Sequence, residues 1–403
     1  MVNSPFTIHL RINVILNENL KILVVDSEEA ARGLISEIAG DISGAEVIDT
    51  AANGRIALAK LRRFPVDLIL LDLKIPEMRE LDTMKRIRRG YRGTDVMIVS
   101  GVEGCVDEIV GALELGAIDF IPKPADDNEN SIREFRLRLM TIIGLLRSRR
   151  NFHKAKCLGN QEASGAIGVT SGLRETVAAR RFDKKHSLPV PKHEKRDTCL
   201  SVFPPRIEVV AIAVSTGGPN ALARVIPRLP GNLGVPILIV QHMPPSFTTS
   251  LAGSLNAKSA IKVKEATDGE EILPNIAYIA PGGRHTLVRV RKNPDIMPVR
   301  RFIRLNSDPP ENSVRPSADV LFRSLTEAYE GNILPVIMTG MGNDGMKGIL
   351  AMKRKGCYCL SQTADTCTVY GMPRSVDEAA LSDEKVPLER LADRIISIIQ
   401  GDV

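Results

Sequence analysis

From Lys21 to about Arg150, short apolar runs alternate with amphipathic stretches: KILVV, AEVI, DLILL, DVMIV and AIDFI are each followed by a segment of helical periodicity. Five strands separated by helices predict a parallel sheet covered on both faces, because parallel neighbours need crossover connections that lay helices over the sheet. Between about Leu146 and Pro205 the periodicity stops, and Gly, Ser, Pro, Lys and Arg dominate, the composition of a linker. A second α/β pattern starts at IEVVAIAV and runs through VPILIV, NIAYIA, TLVRV, FIRL, NILPVIM and CYCLS, with helical SADVLFRSLTEAYE and DGMKGILAMKRKG between some of them. TLVRVRKN and RFIRLN follow one another without room for a helix, which predicts an antiparallel hairpin beside a mostly parallel sheet. The expected organisation is an N-terminal extension over 1–19, a doubly wound domain over 20–146, a basic flexible linker over 147–205 and a second, Rossmann-like α/β domain over 206–403.

A chain of 403 residues is too long for one ordinary core, and 43% hydrophobic with 25% charged residues is a globular composition. No apolar run approaches the roughly 20 residues that span a bilayer, and residues 1–19 lack the layout of a secretory signal, so a cytoplasmic protein, not embedded in membrane, is expected. The six cysteines are scattered without a CxxC pair or matching histidine spacing, which argues against a disulfide framework or a zinc site. A net charge of +6 invites a nucleic-acid reading, but much of it sits in RSRRNFHKAK and AARRFDKKHSLPVPKHEKR, where there is no stacking platform or recognition-helix pattern. No nucleic-acid partner is expected.

Asp26 directly follows KILVV, Asp72 follows DLILL, Ser100 closes DVMIV and Lys123 follows AIDFI. In an open parallel sheet the carboxyl ends of the strands converge on a ligand crevice, so these four polar residues suit a site for a hard cation together with an anion. KILVVD, DLILLDLKIPEM, MIVSG and GAIDFIPKP resemble the response-regulator receiver family over about 120 residues, which implies a five-stranded flavodoxin-like fold. The resemblance implies Asp72 as phospho-acceptor, Asp26 as an acid of the Mg²⁺ site, Ser100 as the switch hydroxyl, Phe120 as the switch aromatic and Lys123 as the phosphate partner. Ser27 stands where the family has a second acid and Glu80 where it has a glycine, and one fewer anionic ligand weakens Mg²⁺ binding.

In the second domain three apolar strands end in turns that offer Ser215, His242 and Asp344. Nucleophilic catalysis requires a hydroxyl, an imidazole to take its proton and a carboxylate to orient the imidazolium. His242 and His285 are the imidazoles of this domain; His242 directly follows a strand and is favoured as base, because rigid elements hold catalytic geometry, while His285 is left to line the cleft. The turn from Ser215 through Gly218 offers backbone N–H groups at a predicted helix start, and Met341, beside Gly340 and Gly342, offers another. Alone, such a turn reads equally well as a phosphate-binding nest. The Ser, His, Asp order and Ala213 two residues before the serine exclude the usual lipase elbow.

These turns, with YIAPGGRH, RPSADVLF and TVYGMPR, resemble the catalytic domain of the chemotaxis protein-glutamate methylesterases from Ile207 to the C-terminus. The resemblance implies Ser215 as nucleophile, His242 as base, Asp344 as orienting acid, and Thr216 and Met341 as oxyanion donors. It further implies hydrolysis of glutamate γ-methyl esters on methylated chemoreceptors, with glutamine deamidation in many members, no cofactor for the esterase, and a sensor histidine kinase supplying the receiver with phosphate. A non-catalytic signalling adaptor is the alternative reading, and a DNA-binding response regulator is disfavoured because the output region lacks a recognition-helix pattern.

Overall fold

The computed structural model describes residues 19–75, 80–101, 105–124, 128–164, 206–291 and 299–401. All but the last residue of the expected N-terminal extension, and the expected linker beyond residue 164, lie outside the described residues. In the first domain β1 (Leu20–Val25), β2 (Ala45–Ala51), β3 (Leu68–Leu71), β4 (Asp95–Ser100) and β5 (Phe120–Pro122) form a parallel sheet in the order β2-β1-β3-β4-β5. Alternate residues of one strand feed opposite cores: Ile22 and Val24 pack with Phe135 and Leu139, whereas Leu23 and Val25 pack with Ile69 and Ile109. Helices α1 (Glu29–Gly40), α2 (Gly54–Leu61), α3 (Glu80–Gly90), α4 (Val106–Glu114) and α5 (Glu129–Ser164) connect or follow these strands.

Helix α5 continues past residue 146, where the apolar period ends. Arg149 and Arg150, basic residues that the sequence assigns to the linker, ion-pair with Asp95 and Asp67 of the receiver-like domain. Arginine, lysine and leucine sustain a helix without an apolar stripe, and these pairs fasten its last described side chains.

The second domain is a seven-stranded parallel sheet in the order β14-β13-β12-β6-β7-β9-β8. Its strands are β6 (Val209–Val214), β7 (Ile237–Gln241), β8 (Lys262–Glu265), β9 (Ile276–Ile279), β12 (Ile333–Ile337), β13 (Leu360–Gln362) and β14 (Glu384–Val386). The predicted hairpin, β10 (His285–Arg291) with β11 (Arg300–Asn306), forms its own antiparallel pair. The edge strands β8 and β14 escape the sequence pattern because KVKE and EKV are short and charged, as befits strands that must not recruit neighbours. Helices α6 (Gly218–Val225), α7 (Pro245–Lys258), α8 (Ala318–Tyr329), α9 (Met346–Lys353), α10 (Met372–Glu378) and α11 (Leu388–Gln400) complete the domain.

Strand β6, buried along its whole length, lies between β12 and β7. The connections leave it in opposite directions, which opens a crevice at its carboxyl end. The two domains share one apolar cluster: Ile109 and Leu113 of α4 pack with Leu222 of α6 and with Phe247 and Leu251 of α7. Cys105, Cys357, Cys359 and Cys367 are buried and free, and among the described residues no helix is long and apolar enough to cross a membrane.

Candidate active site

Ser215 and His242 follow β6 and β7 directly, and Val214 is paired with Gln241 in the ladder between them. The His242 amide donates to Val214 O at 3.3 Å, the Ser215 amide to Thr339 O at 3.0 Å, and Gln241 Nε2 to Ser215 O at 3.0 Å. These bonds tie the three strand ends together. His242 Nε2 lies 2.8 Å from Asp344 Oδ2, so two of the three sequence-derived residues meet directly. Ser215 Oγ makes no hydrogen bond among the described residues; it shares the edge with the imidazole without being joined to it. Catalytic hydrogen bonds of this kind commonly tighten only when substrate binds.

Asp344 is held by more than the histidine. Its Oδ1 accepts from Ser317 Oγ at 2.7 Å, Asn312 Nδ2 at 2.8 Å and the Asp319 amide at 3.3 Å, and its Oδ2 accepts from the Ala318 amide at 2.6 Å. The two amides open α8, whose Leu321, Phe322 and Leu325 anchor it in the core, so the carboxylate caps the positive end of a fixed helix. Burial pushes the Asp344 carboxyl up, but His242, Ser317 and the Ala318 amide outweigh it and bring the pKa from 3.8 to about 2. An ionised carboxylate only accepts, so His242 carries its proton on Nε2 and keeps the Nδ1 lone pair for a hydroxyl. Because the folded state binds this proton less readily than the unfolded chain, the stabilisation is complete above about pH 4 and disappears as pH falls through 2. The gap in thermal midpoint between wild type and Asp344→Asn should therefore stay constant from neutral pH to about 4 and close below it.

Backbone donors lie in the turns after β6 and β12, at the same edge of the sheet. Among the described residues the Thr216 and Met341 amides have no acceptor, whereas the Gly217 amide is spent on Ile118 O at 3.0 Å and that of Gly218 on Ser215 O at 2.7 Å. Gly340 is required by closeness: a methyl group there would stand 2.8 Å from Ser215 Cβ and 3.1 Å from its amide nitrogen. Gly340→Ala should displace the serine turn and cost about 10²-fold in esterase rate, with binding of substrate less affected.

His285 does not line the cleft, contrary to the sequence expectation. It is 1% exposed, its Nδ1 accepts from the Ser317 amide at 3.2 Å, and Nε2 donates to Pro309 O at 3.1 Å. It thus steadies the residue that steadies Asp344. Asn312, Ser317 and Asp319 carry no strand-end signal in the sequence; Ser317 and Asp319 fall within the RPSADVLF stretch, which discloses no role for either side chain. Asn312 and Ser313 both have positive φ, in a two-residue turn closed by reciprocal Glu311 and Val314 amide bonds, and this conformation delivers the Asn312 amide to the carboxylate.

In the other domain, Lys123 Nζ sits 2.7 Å from both Asp26 Oδ2 and Asp72 Oδ2. Asp72 Oδ1 is buried without a partner, as is the hydroxyl of Ser100. Two buried carboxylates with a spare oxygen fit a hard divalent cation, whose preferred ligands are oxygens. Ser27 Oγ is engaged at 3.0 Å by Lys74 O and offers no substitute for an acid. Phe120 stacks on Phe247 of the second domain, ring centroids 5.2 Å apart. Next to it, Asp119 Oδ2 accepts from Thr216 Oγ1 at 3.0 Å, a link from β5 to the serine turn that no sequence motif announces.

A pinned imidazole beside a serine turn, joined to an Asp–Asp–Lys domain of this topology, defines a hydrolytic α/β domain behind a response-regulator receiver. The family models agree: residues 22–132 match the response regulator receiver domain and residues 210–395 the CheB methylesterase. A protein-glutamate methylesterase/protein-glutamine glutaminase of Desulfotalea psychrophila is 41% identical over 95% of this chain and 99% of its own. Its counterpart in Trichodesmium erythraeum is 37% identical over 93% and 98%. The crystal structure of the Thermotoga maritima CheB methylesterase catalytic domain is 40% identical and covers 48% of this chain and 98% of its own, with a TM-score of 0.45. The chain belongs to the protein-glutamate methylesterase/protein-glutamine glutaminase family, and it is an enzyme of that kind.

Proposed function

We propose that the chain removes methyl groups from glutamate γ-methyl esters on the cytoplasmic helices of chemoreceptors, releasing methanol, under control of phosphorylation at Asp72. The observation that carries the catalytic part is the His242–Asp344 contact, with the carboxylate fixed by four further donors at the edge that bears Ser215. Ser215 Oγ attacks the ester carbonyl carbon while His242 Nδ1 takes its proton, and the Thr216 and Met341 amides receive the oxyanion. The imidazolium returns the proton to the departing methoxy group, and methanol leaves. Water, deprotonated by the same nitrogen, then splits the acyl-serine into glutamate and free Ser215. A glutamine side chain passes through the same steps with ammonia as leaving group. A non-catalytic adaptor would have no use for so heavily buttressed a carboxylate.

The receiver's part follows from where it touches. Asp119 and Ile118 hold the turn next to the nucleophile, and Phe120 rests on Phe247. Asp26 and Asp72 would hold a Mg²⁺ ion, which supplies charge neutralisation for a phosphoryl group arriving from a sensor histidine kinase in the cytoplasm. A phosphoryl group on Asp72 gives the orphaned Ser100 hydroxyl an acceptor, and a shift of Ser100 and Phe120 unseats the aromatic pair. The result is a two-state equilibrium biased by charge. The test is methanol release from methylated receptor membranes with and without a small-molecule phosphodonor. Wild type should accelerate with donor and Asp72→Asn should not; equal responses would remove phosphorylation control, and no methanol from either would remove the substrate assignment.

A further inference from the structure

Between the domains lies a cleft of about 430 Å³, walled by Arg88 of α3, Arg149 of α5, and Asn220 and Arg224 of α6. Its volume falls within the roughly 300–1,000 Å³ typical of small-molecule sites. Three guanidinium groups line it against one carboxylate, Asp95, which is already paired with Arg149. Arg224 is answered at the rim by Glu389, at 2.6 Å. Among the described residues Arg88 forms no ion pair of its own, and Asp95, the carboxylate that supports its charge, is held by Arg149. Arg88 Nη1 donates to Thr94 O at 3.2 Å, but Nε and Nη2 are buried without a partner. Those two N–H bonds run parallel on one edge of the guanidinium, the fork that grips two oxygens of a phosphate or carboxylate. Leaving such a fork dry and unpaired is costly, and a buried charge of this kind calls for an acceptor.

We propose that the cleft binds a phosphate-bearing anion, gripped side-on by Arg88. After the two ion pairs one net positive charge remains, and the further arginine N–H donors around it suit the several oxygens of a phosphate better than the two of a carboxylate; the volume exceeds what a bare ion fills, so a phosphomonoester suits it better than free phosphate. Receiver residues Arg88 and Arg149 and catalytic-domain residues Asn220 and Arg224 come together only while the domains are docked. A ligand that binds one arrangement stabilises that arrangement, so the anion acts as a clamp that opposes activation. The clamp rests on the autoinhibitory reading above; the binding site does not.

Calorimetry on the full chain at fixed ionic strength and without magnesium tests it, with inorganic phosphate, AMP and adenosine as probes. AMP should bind wild type more tightly than inorganic phosphate, and adenosine should not bind. Equal affinities would identify the free ion as the ligand, whereas adenosine binding as well as AMP would overturn a phosphate site. Lys123→Ala should bind like wild type, which separates the cleft from the Asp26–Asp72 site; loss of binding there would overturn the assignment. Arg88→Gln should weaken AMP at least tenfold without lowering the thermal midpoint, and Arg224→Gln, at the exposed rim, several-fold. Wild-type affinity in both variants would overturn the proposal. Saturating AMP should slow methanol release by wild type and leave Arg88→Gln unaffected, and binding without slowing would refute the clamp alone.

Discussion

Ser215→Ala is expected to lower methanol release by about 10⁴-fold or more, and His242→Ala by a similar factor, because a serine hydroxyl is a poor nucleophile without a base to take its proton. Asp344→Asn should cost less, about 10²- to 10⁴-fold. The amide that replaces the carboxylate loses its charge and puts an NH₂ group in place of one oxygen, facing either Ser317 Oγ, Asn312 and the Asp319 amide or His242 and the Ala318 amide. His242 then no longer has its proton held firmly on Nε2. The double variant Ser215→Ala with His242→Ala should be no slower than either single change, since the two act on one proton transfer. Initial rates on methylated receptor membranes decide the matter, and a Ser215→Ala enzyme keeping a tenth of wild-type rate would exclude the serine as nucleophile.

Glu114→Ala is expected to raise the unphosphorylated rate by about 5- to 30-fold, equivalent to about 1–2 kcal/mol of docking energy. Glu114 projects from α4 into the interface with its side chain 5% exposed, and its Oε2 takes Ser254 Oγ at 2.8 Å and Lys258 Nζ, both from α7. Lys258 is half exposed, so water recovers part of the ion pair's loss, which keeps the estimate modest. Phe120→Ala should act in the same direction through the lost ring stacking, worth about 0.5–1.5 kcal/mol beyond its area. Both gains should persist in an Asp72→Asn background without phosphodonor. An unchanged basal rate, in a variant whose scattering profile shows separated domains, would mean that the receiver does not restrain catalysis.

What the amino-acid sequence discloses, and what it hides, follows from the physics of a parallel sheet. Central strands such as VVAIAV and LILL are buried on both faces and read as continuous apolar runs, so the residues just past them, Ser215 and Asp72 among them, stand out. The edge strands β8 and β14 carry charge and do not. Residues that act from loops are equally silent: Asn312 reaches Asp344 through a turn at positive φ, and Asp319 and Ser317 through the start of α8. His285 is the second imidazole of the domain and its sequence position does not disclose its burial, yet both ring nitrogens are consumed by the backbone. Contacts between domains, such as Asp119 with Thr216, join positions 97 residues apart and leave no periodic trace. The start of the basic stretch after Leu146 reads as linker for a related reason, since Arg149 and Arg150 find their carboxylates only in the folded receiver.

The most direct measurement is mass spectrometry of the full chain after reaction with a fluorophosphonate in the presence of phosphodonor. One adduct is expected, on the peptide that carries Ser215, formed slowly without donor and not at all in His242→Ala. An actively hydrolysing enzyme with Ser215 unlabelled, or labelled as fast without His242 as with it, would contradict the shared-edge chemistry on which the functional reading depends.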